Sequence, residues 1–459
     1  MLLIYAPTLR TSGVGSFTAG LCTLMEERGW EVTVGLAWGA AFHDPCLFRE
    51  QYPGIRTILM DGRTGSEEGR IQALCRTIRE ANPHILLHSC LNSAFAAVRR
   101  LRGRGEGNFT FCVVNHGSFP EHAATLLVNR DVVDQVVCVS RWSYLALLSG
   151  KVTFTADRVH HMPNMVSPPT APLGKRGGGA PRIGYAGRLM PDKRFRDIFP
   201  FFRTVAATHP DAELWIAGDG PYAEESRSFC REFPGRVRYW GAVSREELYR
   251  SFYPELDLFV NFSPAEAGKS LAICEAMAHG VVPVVAEYTG FFLERFALPN
   301  RTALLFPVGE SGAAARLAGA LLDNPVQLQA ISREARELMA REYPLELFVR
   351  QWGETLEGFL SLPRLPAAGE RNRDSLLEGI KERLRRLLGR HFPHRDPGGE
   401  WPHFSCKSCP ELVVELRSVM AKMERDERER VLSGVGEGGA VARLQAELLR
   451  GDGAVPAAG

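Results

Sequence analysis

The chain has 459 residues, a net charge of +2 and an ordinary apolar content of 45%, which leaves room for two α/β domains with residues to spare. So small a charge argues against nucleic acid as a partner, and no run approaches the roughly eighteen apolar residues of a membrane-spanning helix. Eight of the ten cysteines are scattered through residues 1–280, several inside apolar runs such as Phe111-Cys112-Val113-Val114, as free thiols in a reducing cytoplasm are.

Residues 1–5 lack the basic start of a signal peptide and read as a buried strand. A glycine-bearing turn, Thr11-Ser12-Gly13-Val14-Gly15, follows and opens a helix with Phe17, Leu21, Leu24 and Met25 on one face. Gly29 ends that helix, and Glu31-Val32-Thr33-Val34-Gly35 is the next strand. The short apolar runs Ile85-Leu86-Leu87, Phe111-Cys112-Val113-Val114 and Val136-Val137-Cys138-Val139 fit parallel strands buried on both faces, with helical patterns such as 71–81 between them. Residues 1–166 are therefore expected to form one doubly wound, Rossmann-like domain, and the Pro- and Gly-rich stretch 167–181 a linker.

The alternation restarts at Arg182-Ile183-Gly184-Tyr185-Ala186-Gly187 and continues through Glu213-Leu214-Trp215-Ile216-Ala217, Val237-Arg238-Tyr239-Trp240, Leu258-Phe259-Val260 and Val282-Pro283-Val284-Val285. Residues 182–340 are predicted to be a second Rossmann-like domain, facing the first across a cleft at the carboxyl ends of both sets of strands. A segment at 341–362 carries Phe348, Trp352, Leu356 and Phe359 on one helical face, and 363–459 reads as an accessory tail, partly helical and partly disordered.

Three segments carry chemistry. In Gly187-Arg188-Leu189-Met190-Pro191-Asp192-Lys193, two cations lie five residues apart across a turn and can converge on one anion, such as a departing diphosphate; the bland alternative is a solvated basic loop. In Ser263-Pro264-Ala265-Glu266-Ala267-Gly268-Lys269-Ser270-Leu271, a strand end feeds a glycine loop into a helix, whose free amides at residues 268–271 can receive phosphate or sugar oxygens. Glu275 lies about a turn and a half inside that helix, where a carboxylate suits paired ribose hydroxyls. A nucleotide-triphosphatase loop is rejected, because Ser263 stands where that motif needs glycine. Third, Gly13 and Gly15 allow backbone to approach a ligand from the first domain, though a short glycine turn is as often structural.

Taken in order, these segments resemble the retaining nucleotide-sugar glycosyltransferases of family 4 (glycosyl transferases group 1), which have the GT-B fold. The resemblance covers roughly residues 1–360 and is strongest from Gly187 to Pro307, including Gly218-Asp219-Gly220-Pro221 and Glu275-Ala276-Met277-Ala278-His279-Gly280. It implies that Arg188 and Lys193 hold the donor diphosphate, that Glu275 holds the ribose, and that backbone around Trp240-Gly241-Ala242 lines the base pocket. His116 matches a position that contacts the transferred sugar, although by itself it can equally be a hydrogen-bonded loop histidine. With Gly187, Gly218, Gly268, Lys269, Ser270 and Leu271, these form the expected donor site.

One departure stands out. The family has two glutamates separated by seven residues, whereas Glu266 and Glu275 are separated by eight and Ala267 holds the aligned slot. Either a one-residue bulge presents Glu266 to the sugar, or that contact is lost.

The expected reaction is transfer, with retention, from a UDP- or GDP-sugar to a glycan or lipid-linked acceptor in cell-envelope synthesis, needing no cofactor and no metal beyond that donor. The alternatives are a non-catalytic nucleotide-sugar-binding protein and another GT-B enzyme such as an epimerase or phosphorylase. In the tail, the basic amphipathic stretch 376–390 can lie on an anionic membrane at the cytoplasmic face or pack as an ordinary helix. His391, His394, His403, Cys406 and Cys409 have only partial zinc-like spacing and are not counted as a metal site.

Overall fold

The computed structural model describes residues 1–365 apart from 7–12, 39–44, 62–66, 90–91, 118–119, 149–153, 165, 167–178, 265, 267, 289–293 and 295. Ala267, most of the linker, the basic stretch 376–390 and the Cys406/Cys409 pair lie outside the described residues.

Two parallel sheets with flanking helices account for the rest. The first comprises β1 (Leu2–Ala6), β2 (Val32–Trp38), β3 (Thr57–Asp61), β4 (Ile85–His88), β5 (Thr110–Asn115), β6 (Gln135–Cys138) and β7 (Val159–His161), in the order 3-2-1-4-5-6-7. Its helices are α1 (Gly13–Glu27), α2 (Pro45–Gln51), α3 (Glu67–Ala81), α4 (Asn92–Gly103), α5 (Pro120–Val128) and α6 (Arg141–Leu148). Strands β4, β5 and β6 are buried along their whole length, which is why they read as unbroken apolar runs.

The second sheet comprises β8 (Arg182–Ala186), β9 (Glu213–Ala217), β10 (Val237–Gly241), β11 (Leu258–Asn261), β12 (Val282–Ala286) and β13 (Leu304–Phe306), in the order 10-9-8-11-12-13. Around it lie α7 (Ile198–Thr208), α8 (Ala223–Glu232), the short α9 (Arg245–Glu247), α10 (Leu271–Ala278), α11 (Ser311–Leu322) and α12 (Pro325–Glu342). In each sheet the chain reverses its winding direction once, between β1 and β4 and between β8 and β11. Loops leaving such a pair diverge to opposite faces and open a crevice at the strands' carboxyl ends.

The last described helix, α13 (Leu345–Ser361), belongs to the second domain by sequence and to the first by packing. Phe348, Trp352, Leu356 and Phe359 enter a core with Leu2, Ile4, Phe17, Leu21 and Cys112. Phe17 meets Trp352 edge-on at 5.4 Å, and Thr110 Oγ1 donates to the carbonyl of Phe359 at 3.3 Å. Among the described residues no helix is long and apolar enough to cross a membrane.

The structure corrects one detail of the sequence reading: Gly13 and Gly15 are not a turn preceding a helix but the first turn of α1 itself. Trp352 is fully buried, so Trp352→Ala leaves a large cavity between α13 and the first sheet. Urea unfolding should report a loss of about 3–5 kcal/mol, with Trp352→Phe losing much less.

Candidate functional site

The loop after β8 begins where two backbones nearly touch. A Cβ on Gly218 would stand 1.8 Å from the carbonyl oxygen of Gly187, and one on Gly220 would stand 2.5 Å from that of Leu189. Only glycine lets the loop after β9 stack this closely on the loop after β8, and the Leu189 amide closes the contact by donating to the Asp219 carbonyl at 3.0 Å. Supported in this way, the β8 loop carries both predicted cations. Arg188 is paired with Asp192 (Nη2 to Oδ2, 2.7 Å) and has a side chain 43% exposed. Lys193 is deeper, its Nζ 2.8 Å from Glu266 Oε2.

Across the β8/β11 split, Glu266 also accepts from Asn261 Nδ2 at 3.2 Å through its other oxygen. The carboxylate thus lies beside Lys193 despite the extra residue in the spacing. Gly268 adopts φ of +69° and packs on the first domain, where an added Cβ would be 2.8 Å from the Val139 carbonyl oxygen. Of the amides expected to be free at 268–271, that of Gly268 donates to the Glu266 carbonyl at 3.0 Å and that of Ser270 to the Tyr288 hydroxyl, while the first amides of α10 itself have no intrahelical acceptor and Ser270 adds no side-chain cap. Gly13, first residue of α1, faces Leu271, first residue of α10: a Cβ on Gly13 would be 3.5 Å from Leu271 Cδ1. Two helix N-termini, one from each domain, therefore converge at this point, and both ends carry partial positive charge.

Lys269 does not join them. It is 94% buried (relative exposure 6%), with its ammonium 3.8 Å from the centroid of the Tyr343 ring. Burial lowers its pKa to about 8.

Glu275 is buried on α10. Its Oε1 accepts from Arg245 Nε at 3.0 Å and its Oε2 from the Tyr253 hydroxyl at 3.0 Å. Trp240, at the end of β10, packs between Trp215 and Phe252 under the Arg238 guanidinium, which lies 4.0 Å from its ring centroid. Gly241, with φ of +69°, has nothing within 4 Å of an added Cβ, so the backbone beyond the strand is open.

In the first domain, His116 follows β5. Its position is set by its neighbour: Gly117 donates its amide to Asn115 Oδ1 at 3.1 Å and accepts from Ser143 Oγ at 2.6 Å. The His116 ring meets Phe17 edge-on at 4.8 Å, and its Nε2 is sealed from solvent with no hydrogen-bond partner among the described residues. Burial, reinforced by His122, lowers the pKa to about 3. Among the described residues no group of three or more His, Cys, Asp or Glu side chains can hold a metal ion.

Sequence reading quoted Asp192 without giving it a role and did not find Asn261, Arg245 or Tyr253, the partners of the residues it singled out. The one available signal was the four-residue spacing of Arg245, Tyr249 and Tyr253, which puts an arginine and two tyrosines on one helical face.

Residues 180–324 match the family described as Glycosyl transferases group 1. The chain is 25% identical over 169 residues to an uncharacterized glycosyltransferase, YqgM, of Bacillus subtilis, covering 35% of this chain and 46% of that protein. It is 27% identical over 193 residues to the GDP-mannose-dependent monoacylated alpha-(1-6)-phosphatidylinositol monomannoside mannosyltransferase of Corynebacterium glutamicum, covering 40% and 48%. The chain thus spans about half the length of the curated relatives it matches. Among solved structures, Anabaena HepE in complex with UDP-glucose superposes with a TM-score of 0.61 at 18% identity, over 78% of this chain and 99% of that one. Sucrose-phosphate synthase from Thermosynechococcus elongatus gives a TM-score of 0.62 at 17% identity over the same 78% and 99%. These likenesses show the fold, which is GT-B: two Rossmann-like domains.

Three outcomes follow from this geometry. Gly268→Ala forces a left-handed φ and a collision with Val139, and is expected to cost roughly 1–3 kcal/mol in thermal or urea unfolding. Gly15→Ala, with nothing within 4 Å of the new Cβ, is expected to be neutral or slightly stabilising. His116 has its pKa depressed on folding, so its share of stability is present above its ordinary value of 6.5 and is lost as pH falls towards 3. Guanidinium unfolding at pH 7.5 and 5 should therefore show a smaller acid loss for His116→Gln than for the native chain.

Proposed function

We propose that this GT-B chain is a retaining glycosyltransferase of the family 4 type, moving a sugar from a UDP- or GDP-sugar to a glycan or lipid-linked acceptor. The observation that carries the reading is the gathering of Arg188, Lys193 and the N-terminus of α10 at the β8/β11 split, opposite the N-terminus of α1. A ligand with two adjacent phosphates satisfies such a place. The cations neutralise the charge that develops as the sugar leaves, and the unbonded amides receive the phosphate oxygens. The family match over 180–324, which spans these residues, supports the same reading.

On this reading Glu266 serves in place of the displaced first glutamate. Lys193 and Asn261 hold its carboxylate beside the diphosphate, towards the sugar hydroxyls. His116, by the resemblance, borders the sugar from the opposite wall, and its depressed pKa keeps the ring neutral at pH 7. Glu275 holds the ribose, and the open backbone at Gly241 borders the base. Lys269, seated on Tyr343, stays out of donor binding.

The bond between the anomeric carbon and the β-phosphate oxygen breaks, and the acceptor oxygen bonds to the same carbon from the same face. The acceptor's proton passes to the departing phosphate oxygen, and nucleoside diphosphate is released. No protein base is assigned.

The test is release of nucleoside diphosphate from a panel of UDP-, GDP- and ADP-sugars, with a crude glycolipid extract as acceptor. Arg188→Ala combined with Lys193→Ala is expected to lower turnover by about a thousandfold or more while circular dichroism stays native. Wild-type turnover in that double variant would overturn the diphosphate assignment. Binding of donor without turnover in the native chain would mark a non-catalytic binding protein.

A further inference from the structure

Glu275 is the most constrained carboxylate of the site. Both oxygens are engaged, by Arg245 at 3.0 Å and by Tyr253 at 3.0 Å, with the Tyr249 hydroxyl bonding the same carboxylate, and its main-chain carbonyl lies 2.7 Å from His279 Nδ1. The residues that hold it are themselves held. Arg245 Nη2 donates to the Tyr249 hydroxyl at 3.0 Å, and the guanidinium lies over that ring. Tyr253 is fully buried, stacked on His279 at 5.3 Å and flanked by Phe252 and Phe259. Arg245, Tyr249 and Tyr253 follow one another at intervals of four along the helical turns that leave β10, and Ser244 caps the first of these turns by accepting from the Glu247 amide.

An ionised carboxylate offers about four lone-pair positions. Arg245 and Tyr253 take two here and the Tyr249 hydroxyl bonds the same carboxylate, which leaves acceptor capacity for a hydroxyl donor of a vicinal diol. A glutamate free to rotate would lose side-chain entropy on gripping that diol, whereas this one is ordered before the ligand arrives.

We propose that Arg245 and Tyr253 are positioning residues that aim the Glu275 carboxylate at the ribose diol of the donor, so that discrimination for ribonucleotides is set by the helical turns after β10. This rests on the reading of Glu275 as the ribose contact and adds what makes that contact selective. Neither residue touches the reacting atoms. Loosening them weakens nucleotide binding through the sugar hydroxyls and leaves the chemical step alone.

The experiment is titration calorimetry of the full chain with UDP and 2′-deoxy-UDP, and with GDP and 2′-deoxy-GDP. The proteins are the native chain, Tyr253→Phe, Arg245→Lys and Arg245→Gln, with donor KM and kcat measured alongside. The native chain is expected to prefer the ribonucleotide by about tenfold or more, the scale of a hydrogen bond to a charged group. Tyr253→Phe, which removes a single hydroxyl, and Arg245→Gln should each cut that preference to about threefold or less, and Arg245→Lys should restore part of it. Affinity for the deoxynucleotide and kcat should stay within about twofold, with the donor KM raised. A merely structural role would weaken both nucleotides equally and lower kcat. If the native chain discriminates and the variants discriminate equally well, the positioning role is wrong while the ribose contact stands. If the native chain does not discriminate at all, the ribose contact fails and the proposal with it.

Discussion

Lys193 and Glu266 meet at 2.8 Å across the place where β8 and β11 diverge, and the remaining geometry of this wall is arranged around that contact. The loop bearing Lys193 is pressed from below by the loop after β9, through the glycine contacts at residues 218 and 220. It then has to turn sharply. Arg194 takes a left-handed conformation, with φ of +48°, between two short 3-10 turns. A side chain there costs about 1–2 kcal/mol relative to glycine. Phe195, fully buried, and the pairing of Arg194 Nε with Asp197 at 2.8 Å hold the turn against that strain.

The charges at this wall are balanced from within the chain, though not equally firmly. Arg188 and Asp192 are 43% and 29% exposed, and a pair that open to water contributes about 0–1 kcal/mol. Arg188 can therefore leave Asp192 at little cost. Lys193 and Glu266, at 20% and 9%, are better shielded; separating them leaves a carboxylate in a poorly solvated place. The wall thus holds one cation whose partner can be exchanged and one that is fixed, and a fixed Lys193 keeps Glu266 oriented as well. The same logic applies more strongly at Glu275, where both partners lie on one helical face.

The fold was largely legible because its inner strands are buried on both faces and announce themselves as apolar runs. β3 (Thr57–Asp61), β7 (Val159–His161) and β13 (Leu304–Phe306) are short edge strands that the sequence reading did not pick out; β7 carries two histidines, whereas the apolar runs in β3 and β13 are only three residues long. The motif in the β8 loop was legible because its residues are neighbours in sequence. The partners of Glu275 were not: Arg245 and Tyr253 lie thirty and twenty-two residues upstream, and the turn that brings them together depends on tertiary packing. Lys269 shows the opposite error. Its place beside Gly268 suggested an anion site, but a basic residue near a helix N-terminus has no obligation to face the ligand, and packing turned this one onto an aromatic ring.

That ring ties the donor loop to the rest of the molecule. Tyr343 stands just before α13, whose Trp352 and Phe359 are built into the first domain's core. Lys269 on Tyr343, Gly268 against Val139, and the Arg141 amide donating to Glu294 Oε1 at 2.7 Å are three contacts within one short stretch of the domain boundary. The first two belong to the loop that leads into α10, and Glu294 and Arg141 lie close enough to Lys269 to act on its charge. Separating the domains at this boundary therefore pulls on the same backbone that presents the α10 amides and positions Glu266. In this chain the contact between the domains and the loop bearing Glu266 share a single piece of polypeptide, and the glycine at 268 is what lets that piece lie so close to the first domain.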